Sequence, residues 1–128
     1  MKFGYTILYV KDVFATIEFY ERAFELKRKF VHESGYGELE TGSTTLAFAS
    51  FELIDTHGFN YQKAAPEHAA PGFEIALVTV DVQNAYQKAI SEGATDVKKP
   101  SQKPWGQSVG YVRDLNGFIV EICSPAEA

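Results

Sequence analysis

The chain has 128 residues, of which 45 % are hydrophobic, a length and apolar content suited to a single packed domain. Its formal net charge is −5 and its twelve Lys and Arg are scattered, which excludes the basic stripe that binding a nucleic-acid backbone demands. The single Cys123 allows no intrachain disulfide, the opening residues lack an apolar signal core, and no apolar run is long enough to span a membrane, so the cytoplasm is the expected compartment.

Phe3 to Val10 is rich in Tyr, Ile, Leu and Val and predicts a half-buried strand. Asp12 then stands before Val13, Ile17, Tyr20 and Phe24, the spacing of one apolar helical stripe behind an acidic N-cap. Three short strands follow, about 27–33, 37–41 and 44–50, divided by Ser34, Gly35, Gly42 and Ser43. The basic run Lys27-Arg28-Lys29 reads as a solvated face. Residues 51–71 have no clean period and carry Gly58, Asn60, Pro66 and Pro71, the composition of a linker or a lid.

After this segment the pattern begins again. Phe73 to Val80 predicts a strand, Asp81 a second acidic cap, and Val82, Ala85, Tyr86, Ala89 and Ile90 a second helical stripe that stops at Gly93. Strands are expected near 96–99, 108–113 and 118–124, with Asn116-Gly117 as turn chemistry before the last. Asp12 and Asp81 lie 69 positions apart, as do Tyr5 and Glu74, while the closing strands match with Ala47 on Glu121. The expected fold is therefore α+β: one domain of two tandem βαβββ modules, about 1–50 and 72–126, whose curled half-barrel sheets surround a cleft.

Strand alternation puts Glu121 on one face with Ile119 and Cys123, and Val120 and Ile122 on the other. Glu74 likewise interrupts an apolar strand, so both carboxylates are expected to line a concavity, whereas Ala47 offers volume in place of charge. Two carboxylates meeting in a cleft cannot both ionise cheaply, and they favour a ligand bearing an amine or hydroxyl. Trp105 is placed to stack a flat ligand or to anchor its own loop. Phe51, Phe59 and Tyr61 are placed to close over an aromatic molecule or to pack beneath their loop, and Phe48 and Tyr111 are further candidate wall residues. Cys123 reads as a small packing residue, and His32, His57 and His68 as surface histidines without metal-site spacing.

The duplicated plan, the strings Tyr5-Thr-Ile-Leu-Tyr-Val-Lys-Asp12 and Phe19-Tyr20, and the ending from Pro104-Trp105-Gly106-Gln107 through Arg113-Asp114-Leu-Asn-Gly117 to Glu121 resemble the vicinal oxygen chelate superfamily. That family includes glyoxalase I, ring-cleaving dioxygenases and bleomycin-resistance proteins. The resemblance implies four metal-ligand positions, which fall here on Tyr5, Ala47, Glu74 and Glu121. Ala47 has no donor atom and a neutral phenol is a poor ligand for Zn²⁺ or Ni²⁺, so no metal cofactor is expected. The alternative is a divalent ion, Mg²⁺, Mn²⁺, Zn²⁺ or Ni²⁺, held by Glu74 and Glu121.

On this basis the expected function is metal-free sequestration of a small aromatic or cationic ligand, as in bleomycin-resistance proteins, by Tyr5, Ala47, Phe48, Phe59, Glu74, Trp105, Tyr111 and Glu121. The competing expectation is a glyoxalase-type lyase, isomerase or dioxygenase with Glu121 and Glu74 as catalytic groups. The resemblance also implies a homodimer in which modules of two chains face each other. Neither nucleic acid nor membrane is an expected partner.

Overall fold

Strand β1 (Tyr5–Val10) alternates as its sequence predicts: Leu8 and Val10 are buried, while Tyr5 and Ile7 stay exposed. In this computed structural model, which describes residues 1–126, β1 leads into helix α1 (Val13–Phe24). Asp12 caps that helix, its Oδ1 accepting the Ala15 N–H at 3.0 Å. Three strands follow, β2 (Lys27–His32), β3 (Tyr36–Glu40) and β4 (Thr45–Ser50), and the sheet order is β1-β4-β3-β2 with β1 parallel to β4. Ile17 and Tyr20 of α1 are fully buried, and the Tyr20 ring lies 5.0 Å from that of Phe48. The basic run of β2 is not uniformly solvated. Arg28 turns back onto α1, its Nη2 2.9 Å from Glu21 Oε1 and its guanidinium 4.9 Å from the centre of the Phe14 ring.

The segment read as a linker or lid contains structure. Ser50 Oγ accepts the Leu53 N–H at 3.1 Å and starts helix α2 (Phe51–Asp55), a single turn that buries Ile54. Five residues are too few to show a helical period, so only the cap was there to be seen. Beyond the turn, Tyr61 donates its hydroxyl to Asp55 Oδ1 at 2.8 Å and sets its ring edge-on to Tyr9 at 5.2 Å. Residues 51–61 therefore belong to the first of two compact units, Met1–Ala64, and the second begins at Ala65.

The second unit repeats the plan. Strand β5 (Glu74–Val78) leads to helix α3 (Val82–Ser91), capped by Asp81, whose Oδ1 accepts the Asn84 N–H at 3.2 Å. Strands β6 (Thr95–Gln102), β7 (Ser108–Arg113) and β8 (Ile119–Cys123) complete an open sheet in the order β5-β8-β7-β6, with β5 parallel to β8. Strand β6 is twice as long as expected because it is a sheet edge. Its pairing with β7 slips between Asp96 and Lys98 and again before Ser101, and such irregular edges accommodate Pro100. Val82, Tyr86 and Ala89 of α3 are buried, as are Val112, Val120 and Ile122 of the sheet.

The β7–β8 turn holds the beginning of this unit in place. Asp114 Oδ1 accepts the N–H groups of Asn116 and Phe118, both at 2.9 Å, and Gly117 adopts φ +94°. A side chain at Gly117 would lie 2.8 Å from the Ala65 carbonyl oxygen, so glycine is needed for approach as well as for conformation. Arg113 reaches over this spot. Its Nε donates to Gly117 O at 2.8 Å, and its Nη groups donate to the carbonyls of Ala65, Pro66 and His68 at 3.3, 3.2 and 2.7 Å.

Candidate functional site

The sheet face of the second unit that turns away from α3 gathers its acid groups. Tyr111 lies directly opposite Glu121 across the β7–β8 ladder, and Ala76 is the partner of Glu121 on β5. Residues paired in this way share a face, and so do residues two apart, which brings Glu74, Tyr111, Glu121 and Cys123 together. Glu121 stands at the centre of this group: its charge acts on Glu74, Tyr111 and Cys123, while the Cys123 thiol donates to the Leu77 carbonyl at 3.8 Å.

Although Glu74 keeps an exposed edge, its neighbours partly desolvate it. Desolvation, then the neighbouring side chain of Glu121 and its charge, raise Glu74 above the ordinary carboxylate range. The same three causes, in the same order, raise the Tyr111 phenol. Burial, then the neighbouring side chain of Glu121 and the two carboxylate charges, push the Cys123 thiol up to about 11. At neutral pH that thiol stays protonated and inert, in keeping with its reading as a packing residue.

The first unit carries an acid group that strand matching alone did not reveal. Glu38 on β3 faces Ala47 across the ladder and is only 7 % exposed. Tyr36 donates its hydroxyl to Glu38 Oε2 at 2.7 Å, and Lys29 Nζ lies 3.7 Å from Oε1. Burial, then the hydrogen bond to Glu38 and its charge, raise the Tyr36 phenol. Alternation along Tyr36-Gly-Glu-Leu-Glu40 was the available signal, because buried Leu39 must face the core and Glu38 must then face away. Ala47 itself is fully buried and leaves no open volume.

The eight candidate ligand residues divide between the units. Tyr5, Ala47, Phe48 and Phe59 are in the first; Glu74, Trp105, Tyr111 and Glu121 are in the second, where all but Trp105 converge. Phe48 faces the helix, where its fully buried ring packs on Tyr20, so it belongs to the core and not to the open face. Phe59 is half exposed and stands beside Tyr61 and His57 in the aromatic cluster over the end of β1. Trp105 is 64 % exposed on the β6–β7 loop, and its Nε1 donates to Gln107 Oε1 at 2.8 Å. Gln107 in turn donates to the Ser124 carbonyl at 2.8 Å, which ties the loop to the end of β8.

A family model described as the Glyoxalase/Bleomycin resistance protein/Dioxygenase superfamily matches residues 2–122. The chain belongs to this superfamily. Solved structures of the same fold include a glyoxalase-related enzyme from Fulvimarina pelagi, 19 % identical with a TM-score of 0.83, the match covering 98 % of this chain and 88 % of that one. A glyoxalase/bleomycin resistance protein/dioxygenase family enzyme from Burkholderia phytofirmans PsJN is 18 % identical with a TM-score of 0.79, over 97 % and 98 % of the two chains. A superfamily member from Sphaerobacter thermophilus is 20 % identical with a TM-score of 0.70, over 98 % of each chain. At these identities the likeness speaks for the fold alone. No curated protein gives a significant match.

Members of the superfamily that use a metal supply His, Gln or Glu from four strand positions. Those positions hold a phenol, a methyl group and two carboxylates here. Among the described residues no group of three or more His, Cys, Asp or Glu is arranged to hold a metal ion. A phenol, a methyl group and two carboxyl groups do not fit a Zn²⁺ or Ni²⁺ centre.

Proposed function

We propose that the chain binds a small molecule, without a metal ion, through an amine or hydroxyl that docks on the Glu74–Glu121 pair. The observation that carries this reading is that strand register gathers Glu74, Tyr111 and Glu121 on one face of the second sheet. A carboxylate so placed is an acceptor for donors, and a cationic donor arriving there opposes the upward shift of Glu74 and favours release of its proton. Exposed aromatic surface at Trp105, in the same unit as the pair, suits a flat ligand body. The proposed setting is the cytoplasm, with the chain as a homodimer.

A second reading is favoured by the same pair. Glu74, raised above the ordinary carboxylate range, shares its sheet face with a second carboxyl group, the pairing that a proton-shuttling lyase or isomerase of the superfamily requires. The site then transfers a proton to the bound molecule instead of only holding it.

Thermal-shift titration with aromatic amines such as tryptamine tests the binding reading. Stabilisation that grows with amine concentration, releases a proton on binding and is lost in Glu121→Gln is the expected result. Stoichiometric divalent metal in protein purified without chelator, or no response across a panel of amines, would overturn it.

A further inference from the structure

The opposite side of the second sheet, where α3 lies, carries a groove that the reading above does not use. It has a volume of about 690 Å³ and runs between α3 and edge strand β6. Tyr86, Ile90 and Pro100 form an apolar floor, and Gln83, Asp96 and Lys99 stand among its polar walls. The Tyr86 ring packs where a Cβ on Gly110 would be, 3.1 Å away, which places it on the face opposite Tyr111 and Glu121.

Two observations say that the fold does not require this groove. The first is chemical. Tyr86 is 5 % exposed, yet its hydroxyl has no hydrogen-bond partner, and the matching position in the first unit is Ile17, which has no polar atom. A buried unpaired hydroxyl is a cost that phenylalanine would avoid.

The second is steric. Arg28 lies opposite Leu39 on the helix side of the first sheet, just as Asp96 lies opposite Val112 in the second. In the first unit the Arg28 guanidinium fills the space between helix and edge strand, over Phe14 and paired with Glu21. The counterpart of Glu21 is Ile90 and that of Phe14 is Gln83, so the second unit has lost the plug and its counter-charge together. Among the described residues neither Asp96 nor Lys99 has an ion-pair partner.

From this we infer that the α3–β6 groove is a second small-molecule site, for a flat heteroaromatic carrying a ring amino group, of the aminopurine or aminopyrimidine type. Such a molecule replaces what Arg28 supplies: a planar body against the apolar floor and N–H donors for a carboxylate, here Asp96. Its ring acceptors meet Lys99 and the Gln83 amide, and the Tyr86 hydroxyl gains a partner as α3 and β6 adjust around it. The volume lies within the range of small-molecule pockets. A free nucleoside fits better than a polynucleotide, because the chain carries net charge −5 and the groove a single lysine.

The test is a ¹H–¹⁵N NMR titration of the full chain with adenosine and cytidine, with inosine and uridine as controls that lack the amino group. Saturable shifts confined to α3 and β6 with the first pair, weakened about tenfold in Asp96→Asn, are the expected result. The double variant Asp96→Arg, Ile90→Glu rebuilds the first unit's plug and is expected to abolish those shifts while the remaining spectrum stays native. Equal responses to inosine and uridine, shifts confined to β5 and β8, or no saturable shift with any of the four would overturn the proposal. Asp96→Asn decides the matter if the double variant does not fold, since it removes one exposed charge and no packing.

Discussion

Glu74 and Glu121 have the same side chain and opposite tasks. Folding raises the carboxyl of Glu74 above its ordinary value of 4.5, so between those two values the folded chain holds a proton that the unfolded chain has released. Stability therefore falls as pH rises through that window. Glu74→Gln keeps a polar side chain of the same size without the titration, and melting curves across acid to neutral pH are expected to be flatter than those of the parent, with a melting temperature at neutral pH no lower than the parent's. Glu121→Ala acts differently, because it removes the carboxyl that faces Tyr111 across the β7–β8 ladder. Urea denaturation is expected to show a loss of about 1–3 kcal/mol.

Both glutamates were legible from alternation along two strands whose apolar residues left them no other face. Alternation also turns Glu38 away from the core, but its burial against Ala47 depends on a cross-strand pairing that the sequence does not show. The missing partner of the Tyr86 hydroxyl has no trace in the sequence at all.

At the level of elements, the caps and helical stripes fixed α1 at its observed ends and α3 to within two residues. The segment 51–71 was the least legible because what orders it is distant in sequence. Arg113 binds the carbonyls of residues 65, 66 and 68 from more than forty positions away, and no local period announces such a contact. A guanidinium fork satisfying four carbonyls has no equivalent in an ammonium group. Arg113→Ala is expected to cost about 1–3 kcal/mol. It should also speed amide exchange at His68, whose N–H donates to Ala65 O at 3.1 Å, and Arg113→Lys should restore little of that protection. Exchange at His68 unchanged from the parent would show that the segment is ordered by something else.

For the whole molecule, the recurrence of caps and strands predicted two four-stranded modules, and the structure adds the parallel pairing of first strand with last in each sheet. What each sheet leaves unpaired was not predictable, because edges are decided by topology. Strands β1 and β5 are edges that keep a regular register with their neighbours and carry exposed apolar residues, Tyr5 and Ile7 on one and Val78 on the other. Such edges attract strands. The proposed homodimer is expected to sediment as a dimer, and Val78→Lys to yield a folded monomer by the same measurement. A monomeric parent would refute the assembly.

The far edges are built otherwise. Strands β2 and β6 both slip register against their neighbours and are studded with Lys27, Lys29, Lys98, Lys99 and Pro100. Each sheet thus has one receptive margin and one guarded margin, so a further strand adds beside β1 or β5 and is turned away at β2 and β6.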